Sequence, residues 1–348
     1  MSPRRVGLLV LAAIAITVLA LWPGRKPSET GGALAGTKVF PDARAQINEI
    51  TELRLARGDG TKTTLRRRPH GWEVAERGYP ADSGKVRRLL LDLTGLEVLE
   101  EKTHDPASYA LLGVEDVAGP QASGVRVEFV SPQATRVLII GKPSGSRASF
   151  VRVGGQPASL LARPQLMVEA SPRRWLDTTL IDVDAARVQR VEVTPASGPA
   201  YVAIREHPGI ADLGIESLPK GRALSGPGAA TALASGFHGL TLDDVRPADP
   251  ATAPGPLHAR VSTFDGLVLE FTGRRDGTHG LVTIIARYDD ALARRFADPV
   301  KAASPHTAPD VGKEAATIAA RTRGWQFELP GWKFDAIFRP LEEMLKPR

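Results

Sequence analysis

The chain has 348 residues, enough for two ordinary domains and a tail, and its 42% apolar and 24% charged residues are those of a folding polypeptide, which excludes whole-chain disorder. The net charge is +6, two of the positive charges being Arg4 and Arg5, and the remaining weak bias lacks the clustering that nucleic-acid binding requires, so no nucleic-acid partner is expected. The absence of cysteine excludes disulfides, thiolate metal sites, cysteine nucleophiles and lipid anchoring through a cysteine.

Arg4 and Arg5 precede an uninterrupted apolar run, Val6 to Trp22, in which Thr17 is the one polar residue. The run is 17 residues long, beyond the roughly 7–15 of a cleavable signal core and at the lower end of the roughly 17–25 of a membrane span. Trp22 suits a membrane interface, Pro23-Gly24 stops a helix, and no small-x-small cleavage site follows. Residues 1–22 therefore read as an uncleaved signal anchor, a transmembrane helix. Arg25 and Lys26 nearly balance Arg4 and Arg5, but a short basic start, one apolar run and a long body point to an N-inside orientation. The expectation is a single-pass protein of the bacterial inner membrane with a periplasmic C-terminal body. Residues 23–45, rich in Gly, Ser, Thr and Pro, read as a linker.

Beyond the linker the chain reads as one unit used twice, residues 46–180 and 185–348. With 34 Gly and 28 Pro, many turns and short strands are expected. Ile50 to Leu55 and Val188 to Val193 share their apolar spacing. Gly58-Asp59-Gly60 turns the first copy into Thr63 to Arg67 and then His70 to Val74, whereas Tyr201 to Ile204 takes that place in the second. A helix follows, capped by Asp82 or Ser83, with Val86, Leu89, Leu90, Leu93 and Leu96 on one face. Leu93 to Val98 aligns with Phe237 to Leu242, 144 residues later. Strands at Val125–Val130, Arg136–Ile140 and Ser149–Val153 correspond to Ala259–Phe264, Leu267–Phe271 and Leu281–Ala286, and Gly141 and Gly273 end the middle strand. Each copy closes on a strand, Ala158–Leu161 or Trp325–Leu329, and a helix, Leu166–Leu176 or Phe334–Leu345; residues 289–320 are an insertion of the second copy. The expected class is α+β: an N-terminal transmembrane helix followed by two similar antiparallel sheet-plus-helix modules, an internal duplication.

No local chemistry stands out. The seven histidines are His70, His104, His207, His238, His258, His279 and His306, and none forms an H-E-x-x-H or H-x₃₋₅-H pair. There is no G-x-S-x-G elbow. Ser217-Leu-Pro-Lys220 matches S-x-x-K in letters, but Pro219 opposes the helix that this pairing needs. Gly84-Lys85 reads as a first helical turn and Gly226-Pro-Gly228 as a turn. Asp182 and Asp184 read as solvated or capping groups ahead of cation ligands, and Arg66-Arg67-Arg68 as charge guarding an exposed strand edge ahead of a phosphate or lipid contact. Trp72 and Trp325 read as core, and Trp332 as core with a partner contact as the alternative. No catalytic, cofactor-binding or metal-binding residue is assigned, no cofactor is expected, and the protein is not expected to be an enzyme.

These residues resemble the bacterial family of domains of unknown function numbered 4340 (DUF4340). The resemblance rests on the N-terminal anchor, Gly71-Trp72-Glu73-Val74, Pro80-Ala-Asp82, Leu138-Ile-Ile-Gly141, Phe150-Val-Arg152 and Trp325-Gln-Phe-Glu-Leu329-Pro330. Tyr109 to Pro120 departs from the tighter Gly-Leu-x-x-Pro pattern of the family. The resemblance implies an accessory part of an ABC-type export system, with protein partners in that transporter and no catalytic residues to carry over. The expected function is a membrane-anchored periplasmic accessory or scaffold protein. The alternatives are a module binding envelope polysaccharide or lipid in a cleft between the repeats, and an enzyme with a scattered active site.

Overall fold

The computed structural model describes residues 34–249, 255–297 and 308–347. The apolar run Val6–Trp22 lies outside the described residues, as do residues 23–33 of the linker. The chain divides into two compact units: unit 1 takes Met1–Trp72 and Ser83–Arg174, unit 2 takes Glu73–Asp82 and Trp175–Arg348.

Period-two alternation builds the strands of unit 1. They are β1 (Glu52–Arg57), β2 (Lys62–Arg68), β3 (Gly71–Val74), β4 (Tyr79–Pro80), β5 (Glu97–Thr103), β6 (Val125–Val130), β7 (Thr135–Ser144), β8 (Ala148–Val153) and β9 (Ser159–Arg163), with β3 crossing into unit 2 after Trp72 and β4, of the same sheet, lying in unit 2. In β6 Val125, Val127 and Phe129 are buried while Arg126 and Glu128 face outward, the expected result of side chains alternating across a pleated sheet. Helix α1 (Ser83–Gly95) buries Val86, Leu89, Leu90 and Leu93 at helical spacing. A short helix, α2 (Tyr109–Leu112), lies between β5 and β6. The sheet order is β4-β3-β2-β1-β6-β7-β8-β9-β5, and every pairing described is antiparallel.

Unit 2 contains β10 (Thr179–Ile181), β11 (Val188–Thr194), β12 (Tyr201–Ile204), β13 (Gly214–Ile215), α3 (Thr231–Ser235), β14 (Leu240–Thr241), β15 (Asp244–Pro247), β16 (Leu257–Thr263), β17 (Leu267–Asp276), β18 (His279–Tyr288), α4 (Asp290–Phe296), α5 (Ala308–Thr322), β19 (Trp325–Leu329) and α6 (Gly331–Ile337). Its main sheet runs β13-β12-β11-β16-β17-β18-β19-β15. Counted from each sheet's own first strand, this is the order of unit 1 from β3 to β5. Smaller devices recur too. A 3-10 turn precedes the first strand in both, at Ile47–Glu49 and Ala185–Arg187. Asp82 N donates to Trp175 O and Asp177 N to Pro80 O, as Ser225 N donates to Met344 O and Lys346 N to Ala223 O. One face of the unit 2 sheet is covered by α3, α5 and α6.

The hairpin Glu73–Asp82 belongs to unit 2 by its packing. Tyr79 meets Trp325 and Phe327 edge-on at 5.3 and 6.0 Å, and Arg77 forks onto Asp244 at 2.7 and 2.9 Å.

The expected class, α+β with a leading transmembrane helix, is corrected. The described chain is mostly antiparallel sheet with few helices, the longest being the 15 residues of α5. Among the described residues no helix is long and apolar enough to cross a membrane, so the expected location as a single-pass inner-membrane protein is not supported. The physical reason is patterning: the described apolar residues alternate with polar ones and bury as sheet faces, and α5 carries Asp310, Lys313, Glu314 and Arg321. Three expected helices also shrink. Residues 166–176 form an extended stretch ending in a 3-10 turn, Pro172–Trp175. The second-copy counterpart of the helix ahead of Leu93, which leads into Phe237, is the five-residue α3. The last one breaks at Pro340 into α6 and a 3-10 turn, Leu341–Met344, because proline disfavours helix in the residue before it. Strands β7 and β17 run on past Gly141 and Gly273 rather than ending there.

Candidate functional site

The outward face of the unit 2 sheet is built by register. Val202, Glu192, Arg260, Glu270 and Ile285 stand directly opposite one another across β12, β11, β16, β17 and β18. The next row holds Thr194, His258, Thr272 and Thr283. Opposite charges facing each other across strands stabilise a sheet by a few tenths of a kcal/mol to about 1 kcal/mol a pair. Arg190 bonds Glu192 at 3.0 Å and Glu216 at 3.4 Å; Arg260 and Arg287 approach Glu270 at 3.9 and 3.5 Å. Burial works against the Arg190 charge, but its bonds to Glu192 and Glu216 outweigh this and hold its pKa above the ordinary value. A shallow groove of about 470 Å³ crosses this face, lined among others by Glu192, Tyr201, His258, Arg260, Glu270 and Thr272. It offers alternating carboxylates and guanidiniums with hydroxyls between them, a surface suited to exchanging hydrogen bonds with a polar partner.

The matching face of unit 1 carries the reverse charges. Glu52, Arg54 and Glu128 occupy the register positions of Arg190, Glu192 and Arg260. Arg54 and Arg66 bond Glu52 at 2.5 and 3.0 Å. Burial would raise the Glu52 carboxyl, yet the hydrogen bonds from Arg66 and Arg54 hold it below its ordinary value. Farther along, this face is covered. Tyr109 and Val114 form a buried cluster with Ile139, flanked by Leu112, Val117 and Phe150. Arg152, 5% exposed, clamps that cover: it donates to Val114 O at 2.8 Å, pairs with Asp116 and lies 4.7 Å over the Tyr109 ring. In unit 2 the register positions of Ile139 and Arg152 are taken by Thr272 and Thr283, both half-buried, and farther along β18 Ile285 is 62% exposed and Arg287 is exposed.

The residues singled out by sequence fall in several places. Arg66 belongs to the charged face, whereas Arg67 donates to Ile50 O at 2.8 Å and lies 4.9 Å over Trp72. Strand β2 lies between β1 and β3, so the arginines do not guard a sheet edge. Asp184 caps the 3-10 turn through Ala186 N at 2.8 Å, and Asp182 accepts from Gly239 N at 2.8 Å and pairs with His238 at 2.8 Å. Ser217 and Lys220 lie in a loop, and Gly84-Lys85 opens α1. Trp72 and Trp175 are buried, Trp325 is half-buried and Trp332 is exposed. Among the described residues no group of three His, Asp or Glu is placed to hold a metal ion.

Two buried arginines and one half-buried one carry structure that sequence reading missed. Besides Arg152, Arg205 is 3% exposed and donates to the carbonyls of Ala185, Ala186, Val188 and Ala211 at 2.9–3.2 Å. It matches Arg67 in its own repeat, since both follow the second strand's last paired residue and reach back to the turn before the first strand. That correspondence was the one available signal. Arg187 joins Asp265 at 2.9 Å and Glu314 at 2.7 Å, tying α5 to the sheet. Its burial disfavours the charge, but the bonds to Glu314 and Asp265 more than compensate, and its pKa lies above the ordinary value.

No curated protein and no solved structure matches the chain. A family model described as Domain of unknown function (DUF4340) matches residues 72–257, from the Trp72 of β3 to the first residue of β16. The match takes in more than half of the chain, including the buried arginine Arg205 and the first strands of the open face, and the chain belongs to the DUF4340 family.

Proposed function

We propose that this protein works by binding and not by catalysis, as an accessory or scaffold protein of an ABC-type export system. The observation that supports the reading is the open face of the unit 2 sheet, where Glu192, Arg260 and Glu270 alternate in charge beside a groove of about 470 Å³. Preset charge patterns of this kind contribute to register and partner choice more than to raw affinity. These residues stand on hydrogen-bonded neighbouring strands, which fix their backbone positions and lessen the ordering that association requires. The family resemblance supplies the transporter as the partner class, by analogy.

The test is co-purification from detergent extracts with an ABC permease and its ATPase. The full chain is expected to be recovered with both. The paired exchange Arg260→Glu with Glu270→Arg keeps an ion pair on the face and inverts its pattern. It is expected to lower that recovery at least tenfold while leaving the thermal melting point within a few degrees. Recovery of the wild-type chain alone, at any detergent or salt tried, would overturn the reading.

A further inference from the structure

Unit 1 brings three arginines from separate elements to one cavity. Helix α1 ends at Gly95, and β5 begins at Glu97, directly opposite Arg163 at the end of β9. Strand β8 pairs Ser149 with Ala162, so the β7–β8 turn that carries Arg147 ends beside Arg163. The cavity between these segments has a volume of about 620 Å³, and Arg88, Arg147, Arg163, Pro164, Gln165 and Met167 are on its wall.

The fold leaves most of the donors on that wall unused. Among the described residues Arg147 has no hydrogen bond and no carboxylate partner. Arg88 engages Asp92 through Nε at 3.0 Å, and Arg163 engages Glu97 through one Nη at 2.9 Å. A guanidinium has five N–H donors in a planar fork, so both keep most of theirs. Glu97 is the one carboxylate on the wall, and it is occupied, since Lys38 Nζ lies 3.6 Å from it on top of the Arg163 bond. The same Nζ donates to Gly95 O at 2.9 Å and offsets the negative end of the α1 dipole. A concave surface with an excess of positive charge remains. Beside it Met167 is 87% exposed, the most exposed large apolar side chain among the described residues. A thioether left in water is stabilised when a hydrocarbon covers it.

We infer that this cavity binds a phosphate ester with an alkyl body: the phosphate takes the free donors of Arg147, Arg88 and Arg163, and the alkyl part lies on Met167 and Pro164. A carboxylate satisfies one guanidinium fork, whereas a phosphate monoester offers three acceptor oxygens and a charge of about −1.5 to −2 near pH 7 to several. A nucleotide is disfavoured because no aromatic ring lines the cavity to stack a base. The ester can come from a bilayer lipid or from a soluble alkyl phosphate, which share this chemistry. No residue of the open unit 2 face takes part, so the inference goes beyond the scaffold reading.

The experiment titrates the full chain with dihexanoylphosphatidic acid below its micelle concentration, and with glycerol 3-phosphate, following heat and phosphorus NMR. The dihexanoyl ester is expected to bind at least tenfold more tightly than glycerol 3-phosphate. Arg147→Gln should weaken the dihexanoyl ester about tenfold or more, the loss expected for one charge-assisted hydrogen bond, and Arg147→Lys should restore part of it. Met167→Ser should weaken the dihexanoyl ester and leave glycerol 3-phosphate unchanged. Both positions are exposed, so all three variants should melt with the wild type. Flotation with phosphatidylcholine vesicles, with and without phosphatidic acid, separates the sources. Extra recruitment by phosphatidic acid that Arg147→Gln abolishes identifies a bilayer lipid, and binding of the soluble ester alone identifies a free alkyl phosphate. Failure of both esters to bind, equal affinity for the two, or undiminished binding by Arg147→Gln overturns the inference.

Discussion

Two buried tyrosines of unit 2 differ in one hydrogen bond, and that difference sets opposite outcomes for the same substitution. Tyr79 is 1% exposed between Trp325 and Phe327, and its hydroxyl has no hydrogen-bond partner. Tyr201 is 6% exposed, and its hydroxyl donates to Arg339 O at 2.6 Å. A buried polar group without a partner costs about 1–3 kcal/mol, and a made bond contributes about 0.5–1.5 kcal/mol net. Tyr79→Phe is therefore expected to leave stability unchanged or raise it by about 1 kcal/mol at pH 7, and Tyr201→Phe to lower it by about 1 kcal/mol. Alkaline pH adds a second term of the same sign for both, since burial raises both phenols above their ordinary value. Burial pushes the Tyr79 phenol from its ordinary 10.0 up to about 12. Between these values the unfolded chain has released the proton and the folded chain still holds it, so stability falls as pH rises through that window. At pH ~11.5 the linked loss is about 2 kcal/mol, and Tyr79→Phe removes it. Urea unfolding followed by tryptophan fluorescence at pH 7 and pH ~11.5 measures both terms. A loss of more than about 1 kcal/mol for Tyr79→Phe at pH 7, or wild-type and variant curves that stay parallel up to pH ~11.5, would refute the reasoning.

Arg205→Met should cost about 3 kcal/mol, because four backbone carbonyls lose their donor at a residue 3% exposed, whereas Arg67→Met should cost about 1 kcal/mol; urea midpoints compare the two. Gly280→Ala places a Cβ 1.8 Å from Cδ2 of Phe334, itself 2% exposed, and is expected to lose at least about 3 kcal/mol, seen as a melting point many degrees lower. A fragment of residues 175–348 lacks Val74, Tyr79 and Ala81, all buried, and the Arg77 fork on Asp244. It should bind a hydrophobic dye and unfold without a sharp transition, and a synthetic peptide of residues 73–82 should restore one in calorimetry.

Much of the fold is legible where a local period has one reading. Leu53 and Leu55, or Val125, Val127 and Phe129, leave no alternative to a half-buried strand, and their burial follows the alternation. Val86, Leu89, Leu90 and Leu93 likewise admit one helix. The segment 166–176 was ambiguous: Leu166 and Ala170 stand four apart, which suits a helix, yet an even spacing equally suits an extended chain, and the burial of both shows the latter. At the candidate site the capping role of Asp184 is written locally, two residues from its donor. The open face is not, because strand register fixes which charges meet, and Glu192, Arg260 and Glu270 come from three strands.

What the sequence by itself determined is the strands with clear alternation, such as β1, β6, β11, β16 and β17, their turn spacing, and the lack of local metal or nucleophile motifs. Those are properties of neighbouring residues, set by the alternation of side chains and by glycine and proline. Only the tertiary structure decided that β5 pairs with β9, that Arg187 reaches Glu314 127 residues away, that a ten-residue hairpin packs with unit 2, and that Trp332 stays exposed. These depend on contacts between distant segments, whose choice follows from the summed burial of whole sheets and helices and leaves no trace in any short stretch of chain.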